Sequence, residues 1–385
     1  MITHARGRSP LYRVHELLGA VLGFFRSNVV LTIALCAAGL SMVLVPPDAA
    51  YADYLDYKTL TCLFTTLAVI CALRNIHFFT TVAQKIVRMA GNLRMTVLSL
   101  VYITFIGSML IANDMALLTF LPLGYFALSS TKMDKYMAPT FILQNIAANL
   151  GGMLTPFGNP QNLYLYEKFM IPSGEFMTIM LVPFAVAVAL ITVCCLFFPK
   201  HKLEMGEKVD NKLPAKRTAA YLVLFAATIL VVFRVIPYMI GLIVIPAVLL
   251  MMDRDALRQV DYPLLLTFVA FFIFAGNMSR IDAVNNLFSG LLEKNTLLTA
   301  AASCQFISNV PSAILLSQFT ENYRALLMGV NIGGAGTLIA SLASLITFRE
   351  YTKHYPHLTG KYVGLFSAFN FGFLIVLTIV CSFLV

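Results

Sequence analysis

The sequence predicts an all-α polytopic membrane protein made of two inverted repeats. Each repeat carries a re-entrant hairpin and a broken transmembrane helix, and about nine full spans accompany the two hairpins. Three observations predict this. Apolar runs recur along the whole chain, with 59% of residues hydrophobic and 12% charged, where soluble domains carry about 25% charged residues. In the first half the apolar pattern is broken twice by polar residues, at Ala112-Asn113-Asp114 and at Gly151-Gly152-Met153-Leu154-Thr155-Pro156-Phe157-Gly158-Asn159-Pro160-Gln161-Asn162. In the second half it is again broken twice, at Ser308-Asn309-Val310-Pro311-Ser312 and at Gly333-Gly334-Ala335-Gly336-Thr337, the latter followed by Ser341 and Ser344. Hydrocarbon satisfies no backbone polar group, so such breaks persist only buried in protein or lining a cavity. Matched breaks in two halves point to a midplane site.

The elements follow in order. Full spans are read at 28–46, 57–73, 137–165, 175–198, 218–236, 239–252, 262–280, 325–347 and 363–384. The basic segment 1–27 precedes a run too long for a signal-peptide core, so the first span is retained. Segments 95–130 and 296–319 each read as limb, polar tip and limb. Thr96 to Ile111 is about 24 Å of helix, short of a ~30 Å core, which favours re-entrance. Lys and Arg sort 21 to one side and 6 to the other, which places the N-terminus in the cytoplasm and, after nine crossings, the C-terminus outside.

Asp56-Tyr57 opens the second span and Asp261-Tyr262 the seventh. Each is followed by an amphipathic stretch, a hairpin, a Gly-Gly break and a final span, with the span at 218–236 inverting the second unit. The chain thus divides into an N-terminal transport repeat (1–198), a cytoplasmic linker (199–217), a connecting span (218–238) and a C-terminal inverted repeat (239–385). The spacings differ: Asn113 to Gly151 is 38 residues and Asn309 to Gly333 is 24, so the second hairpin's return limb is short.

Helix N-termini meeting at hairpin tips and unwound spans offer N–H groups and positive dipole ends to an anion. Asn, Ser and Thr also accept, so with backbone carbonyls they complete a cation shell. The candidate substrate-binding residues are Asn113, Thr155, Gly158, Asn159, Pro160, Gln161, Asn162, Ser308, Asn309, Pro311, Ser312, Gly336, Thr337, Ser341 and Ser344. The candidate coupling-ion residues are Asn113, Asp114, Gly151, Gly152, Ser308, Asn309, Gly333 and Gly334. For a lone Gly-Gly the plainer reading is helix packing; three amides in Gly158-Asn159-Pro160-Gln161-Asn162 exceed what packing needs.

Asp114 is the acidic residue placed deep in the membrane, a functional-site hypothesis by default. It is otherwise a helix cap or a surface turn. Gln144, Asn145 and Asn149 line the cavity or bond neighbouring helices, and Asn331 is a secondary lining candidate. Asn277 and Arg280 sit near the end of their span, where snorkelling accounts for them. The seven cysteines lack metal-ligand spacing and read as packing residues; no structural metal is expected.

These residues resemble the ion transporter superfamily, which holds the citrate transporter-like, arsenite permease and divalent anion–sodium symporter families. Ala112-Asn113-Asp114-Met115-Ala116 with Leu121-Pro122 is similar to the first hairpin tip of arsenite permeases and citrate transporter-like proteins. Gly158-Asn159-Pro160-Gln161-Asn162 resembles the Gly-Thr-Pro-Pro-Asn break of dicarboxylate symporters, and Ser308-Asn309 their Ser-Asn-Thr tip. Gly329-Val330-Asn331-Ile332-Gly333 is similar to the matching span of arsenite permeases. Asp114 and Val310 stand where the dicarboxylate symporters have Thr. The resemblance implies that one rigid unit carries the site across the membrane.

The expectation is an inner-membrane secondary transporter of a small anion, a carboxylate or inorganic oxyanion, coupled to Na⁺ or H⁺ by alternating access. A cation/proton antiporter or arsenite exporter using Asp114 stays open. A channel is a third option. A membrane-embedded enzyme is disfavoured, because no His pair, carboxylate pair or nucleophile–base set lies within a span. No cofactor is expected beyond Na⁺ as a coupling ion. The expected partners are the anion, Na⁺ or H⁺, the lipid bilayer and a second copy in a homodimer, with no nucleic acid.

Overall fold

A computed structural model describes residues 23–25, 28–203 and 213–385. The N-terminal basic segment up to residue 22 and the linker's residues 204–212 lie outside the described residues. The rest is all-α and polytopic. The helices are α1 (Val29–Leu44), α2 (Tyr57–Asn75), α3 (Phe78–Arg88), α4 (Leu93–Ile111), α5 (Asn113–Ser130), α6 (Met137–Gly151), α7 (Pro160–Lys168), α8 (Ser173–Leu196) and α9 (Ala215–Val232). They continue as α10 (Tyr238–Met252), α11 (Arg254–Arg258), α12 (Tyr262–Ser279), α13 (Asp282–Ile307), α14 (Asn309–Leu316), α15 (Tyr323–Ile332), α16 (Leu342–His354) and α17 (Thr359–Ser382).

Among the described residues six helices are long and apolar enough to cross a membrane: α2, α4, α8, α9, α12 and the last, 356–382. Their environments differ. In α2, 72% of the span is buried, against 28% in α8 and 22% in the last helix, so α2 runs through the protein while α8 and the last helix lie on its outside. The shorter apolar helices are α1 and α10. The pairs α6/α7 and α15/α16 are the two broken spans.

The repeated Asp-Tyr dipeptide has a local cause. Asp56 accepts from the Thr59 N–H (3.0 Å) and Asp261 from the Leu264 N–H (3.0 Å), so both residues cap the helix they precede. The hairpins open alike as well. Asn92 accepts from Met95 N at 3.1 Å, and Asn295, a non-helical residue within α13, from Leu298 N at 2.8 Å. At both tips the chain turns through a small residue in the left-handed region, Ala112 (φ 64°, ψ 153°) and Ser308 (φ 75°, ψ 159°).

The hairpins differ in length. α5 has 18 residues and α14 has 8, which covers most of the spacing difference between the halves, and the longer α6 covers the rest. The first hairpin corrects an expectation. Its leading limb starts at Leu93 and has 19 residues, about 28 Å, so limb length gives no support for re-entrance. Contact sets where the tip lies in the protein. The Asn113 side chain donates to Asn149 in the last turn of α6 (3.3 Å), which holds the tip level with the first break.

α1 packs on α12, and α2 on α9 and α10; the hairpins, broken spans, α8 and α17 pack on one another. Between α9 and α10, Arg234 pairs with the buried Glu167 of α7 (3.3 Å) and donates to Ile171 O (3.1 Å). Asn277 does not snorkel. It is fully buried and donates to Ser41 Oγ (2.9 Å), joining α12 to α1. Arg280 does reach the surface, where it pairs with Asp48 (2.7 Å).

Candidate functional site

The two breaks correspond residue by residue at a constant offset of 182, Gly151 to Gly333 through Asn162 to Ser344. Each leaves its first helix at Gly-Gly and turns through Thr155 or Thr337. Each then re-enters helix after an extended residue, Asn159 (φ −136°, ψ 144°) or Ser341 (φ −148°, ψ 152°). The tips correspond at an offset of 196, Ala112-Asn113-Asp114 with Ser308-Asn309-Val310. One bond between tip and break recurs in both units. Thr155 Oγ1 donates to Met109 O (3.1 Å), and Thr337 Oγ1 donates to Gln305 O (3.0 Å).

Glycine is required where these pieces touch. A methyl group built on Gly151 would lie 2.3 Å from Phe105 O, and one on Gly158 would lie 2.3 Å from Gly152 O. Gly333 sits against Cys304, as Gly151 sits against Ser108. Gly336 has φ 130° and lies over the Gln305 amide.

Between the units is a cluster of buried amides. Asn113 and Asn309 come from the tips, Asn149 and Asn331 from the ends of α6 and α15, and Asn159 and Asn162 from the start of α7, where Gln161 is also buried. Asn331 Nδ2 donates to Asn162 Oδ1 (2.6 Å), and Asn159 Nδ2 donates to Asn149 O (3.2 Å) and Asn331 Oδ1 (3.5 Å). Gly334 lies between the halves. A methyl there would be 3.2 Å from Asn309 Nδ2 and 3.8 Å from Asn149 Oδ1. Asn149 Nδ2, Asn159 Oδ1 and Gln161 Oε1 are buried with no partner, and groups of that kind call for an explanation.

Other expected residues hold the scaffold of the cluster. Asn162 Nδ2 donates to Gly152 O (3.1 Å) and Thr155 O (3.3 Å), closing the first break on itself. Ser308 Oγ and the Asn309 N–H both donate to Ala340 O (3.3 and 3.0 Å), tying the second tip to its break. Ser341 and Ser344 hydrogen-bond each other (2.9 Å), and Ser344 accepts from Asn145 (3.3 Å). Pro160 opens α7 at its first position and Pro311 is buried in the first turn of α14. Ser312 is not brought to the cluster; it faces Ser303 across its own hairpin (2.9 Å).

Asp114 also stands apart. Its N–H donates to Asn113 Oδ1 (2.9 Å), but its carboxylate lines a separate cavity with α2 residues. Sequence reasoning missed Gln305. Its Nε2 donates to Gly333 O (2.8 Å) and Ala335 O (3.2 Å), and its Oε1 accepts from Thr337 N (2.9 Å). A polar residue three positions before the Ser308 tip was the available signal. Thr347 and Asn370, which surround Asn145, were missed as well.

The N-termini of α5, α7, α14 and α16 and the C-termini of α4, α6, α13 and α15 all lie at these tips and breaks. N-termini favour an anion and C-terminal carbonyls a cation. A second cavity of about 570 Å³ opens elsewhere, between the start of α2, α12 and the end of α7. It is lined by Asp56, Lys58, Tyr164, Lys168 and Gln318, among others.

Residues 17–323 match the family model described as citrate transporter. An uncharacterized transporter of Methanocaldococcus jannaschii is 34% identical over 297 residues, 76% of this chain and 81% of that protein. The inner membrane protein YbiR of Escherichia coli is 27% identical over 320 residues, 82% of this chain and 85% of that protein. The chain is therefore a multi-pass membrane transporter and belongs to the citrate transporter family.

Proposed function

We propose that this protein is a secondary active transporter of a small anion, a carboxylate or inorganic oxyanion, coupled to Na⁺ or H⁺ by alternating access. The observation that carries the reading is the convergence of four helix N-termini on a buried amide cluster with unpartnered donors and acceptors. Dipole ends and N–H groups bind charge without a buried cation. The family's description makes carboxylates the first substrates to try. The transport repeats are 1–198 and 239–385, joined through a cytoplasmic linker and a connecting span. The hairpins are re-entrant from opposite faces, the N-terminus is cytoplasmic, and the protein resides in the inner membrane, as the name of the E. coli relative also suggests. A homodimer is the expected assembly.

Proteoliposomes test this reading. With an imposed inward Na⁺ or proton gradient, purified protein should concentrate citrate, succinate, sulfate or arsenite above the outside level. Flux that only equilibrates the anion would mean a channel. Asp114, whose carboxylate faces away from the amides, supports a second reading, cation/proton antiport. Gradient-driven Na⁺ movement with no anion present would select it.

Two further outcomes are expected. Asn159→Ala and Asn309→Ala should each weaken anion binding about tenfold, the loss of roughly one good hydrogen bond to a charged group, with membrane insertion retained. Equilibrium binding on purified protein reads this, and wild-type affinity in both variants would reject a shared site. In a background without the seven free cysteines, cysteine at Thr131 should label from the cytoplasm and cysteine at Glu321 from outside. Labelling of both from one face would break the inverted arrangement.

A further inference from the structure

The cavity that Asp114 lines is small, about 80 Å³, and lies between the first hairpin tip and α2. Its walls are largely apolar, with Leu63, Leu163 and Ile346 among them, yet it holds three polar side chains: Thr66, Asp114 and Asp261. Thr66 is 8% exposed and its Oγ1 has no partner. Asp114 Oδ1 is likewise buried without a partner. Asp261 uses one oxygen to cap Leu264 N and is itself exposed, so the polar side of the cavity reaches the protein surface. A buried carboxylate oxygen left unpaired in an apolar wall is costly, and the unpartnered Thr66 hydroxyl on the same cavity adds a second oxygen able to accept. Three oxygens around an 80 Å³ space, room for an ion and one or two waters at about 30 Å³ each, make a hard-cation environment.

The second repeat supplies an internal comparison. Val310 stands at the position matching Asp114, and Phe271 at the position matching Thr66 when the two Asp-Tyr caps are aligned. α14 packs directly against α12, whereas a cavity lies between the first hairpin tip and α2. The two polar residues thus occur together in one repeat and are both apolar in the other. A ligand shared by both side chains accounts for this pairing.

We propose that this cavity binds one small monovalent cation of sodium's size, held by the Asp114 carboxylate, the Thr66 hydroxyl and the Asp261 carboxylate, as a site separate from the amide cluster. It sits where the first hairpin meets α2, in the first repeat. This deepens the ion-coupled reading above, but binding itself needs neither an anion nor a gradient.

The test is saturable binding of radioactive sodium to purified full-length protein in nanodiscs at neutral pH, with no anion substrate. Wild-type protein should bind Na⁺. Thr66→Val, which keeps the shape and removes the oxygen, should weaken the affinity about tenfold, the removal of roughly one ligand contact. Thr66→Ser should stay within about twofold of wild type, and Asp114→Asn should abolish saturable binding. Melting temperature without Na⁺ confirms that each variant is folded, and Thr66→Ala carries the same expectation as Thr66→Val. Absence of saturable Na⁺ binding in wild type, or unchanged affinity in both Thr66→Val and Asp114→Asn, would overturn the site. A protein that binds Na⁺ as expected but moves no anion keeps this site and overturns the transport reading instead.

Discussion

Gly151→Ala should leave little folded protein. A methyl group at this position lies 2.3 Å from Phe105 O and 2.5 Å from Ser108 Oγ, inside the 3.0 Å that real Cβ contacts respect. The first of these atoms is backbone, so no rotamer change relieves the clash. Relief requires α4 to slide along α6, and α4 leads directly into the tip that places Asn113 on Asn149. Overpacking typically costs about 1–3 kcal/mol, and a rigid backbone contact belongs at or above the top of that range. Gly158→Ala meets Gly152 O at 2.3 Å and should behave alike. Gly174 in the first turn of α8 has nothing within 4 Å of the same construction, so Gly174→Ala should match wild type. Yield and melting temperature of fluorescent-protein fusions in detergent give the comparison. A Gly151→Ala protein with wild-type yield and melting temperature would mean that tip and break are not rigidly packed.

The amides of Gly158-Asn159-Pro160-Gln161-Asn162 were legible because an apolar span has no use for three of them. Asp56 and Asp261 were legible as a repeat, and the structure gives their reason, a shared helix cap. The residue-by-residue match of the breaks was hidden because the two copies use different residues for one geometry. Asn159 and Asn162 in one copy are Ser341 and Ser344 in the other. The unequal return limbs, 18 and 8 residues, further shifted tips against breaks. Gln305 escaped because its role depends on carbonyls that only an unwound chain exposes. Asn277 escaped because hydropathy gives depth along a helix but not which neighbour the side chain meets. The direction of Asp114 was beyond the sequence for the same reason. Successive helix residues turn by about 100°. With Asn113 committed to Asn149, the next side chain points toward α2.

Asp114→Asn should uncouple transport from its driving ion. The carboxylate is at the first tip, yet it faces α2 rather than the amide cluster, so its removal leaves the expected anion contacts in place. If the cation that drives transport is held at this carboxylate, an amide of the same shape keeps the fold and removes the charge that distinguishes ion-bound from ion-free protein. A ligand shifts a conformational equilibrium only through its differential affinity for the two states. Without that term the unit still moves when the anion is bound on either side, but a gradient no longer biases the movement. Uptake against a gradient should therefore fall to background and lose its dependence on Na⁺ or pH. Exchange of internal for external anion should persist. Insertion should not suffer, because removing a charge from an apolar wall lowers the desolvation cost. Uptake and exchange measured side by side in the same proteoliposomes separate these effects. Accumulation at wild-type level with unchanged ion dependence would reduce Asp114 to a residue of the hairpin turn. The driving ion would then have to bind at the tip and break carbonyls near Asn113, Ser308 and Asn309.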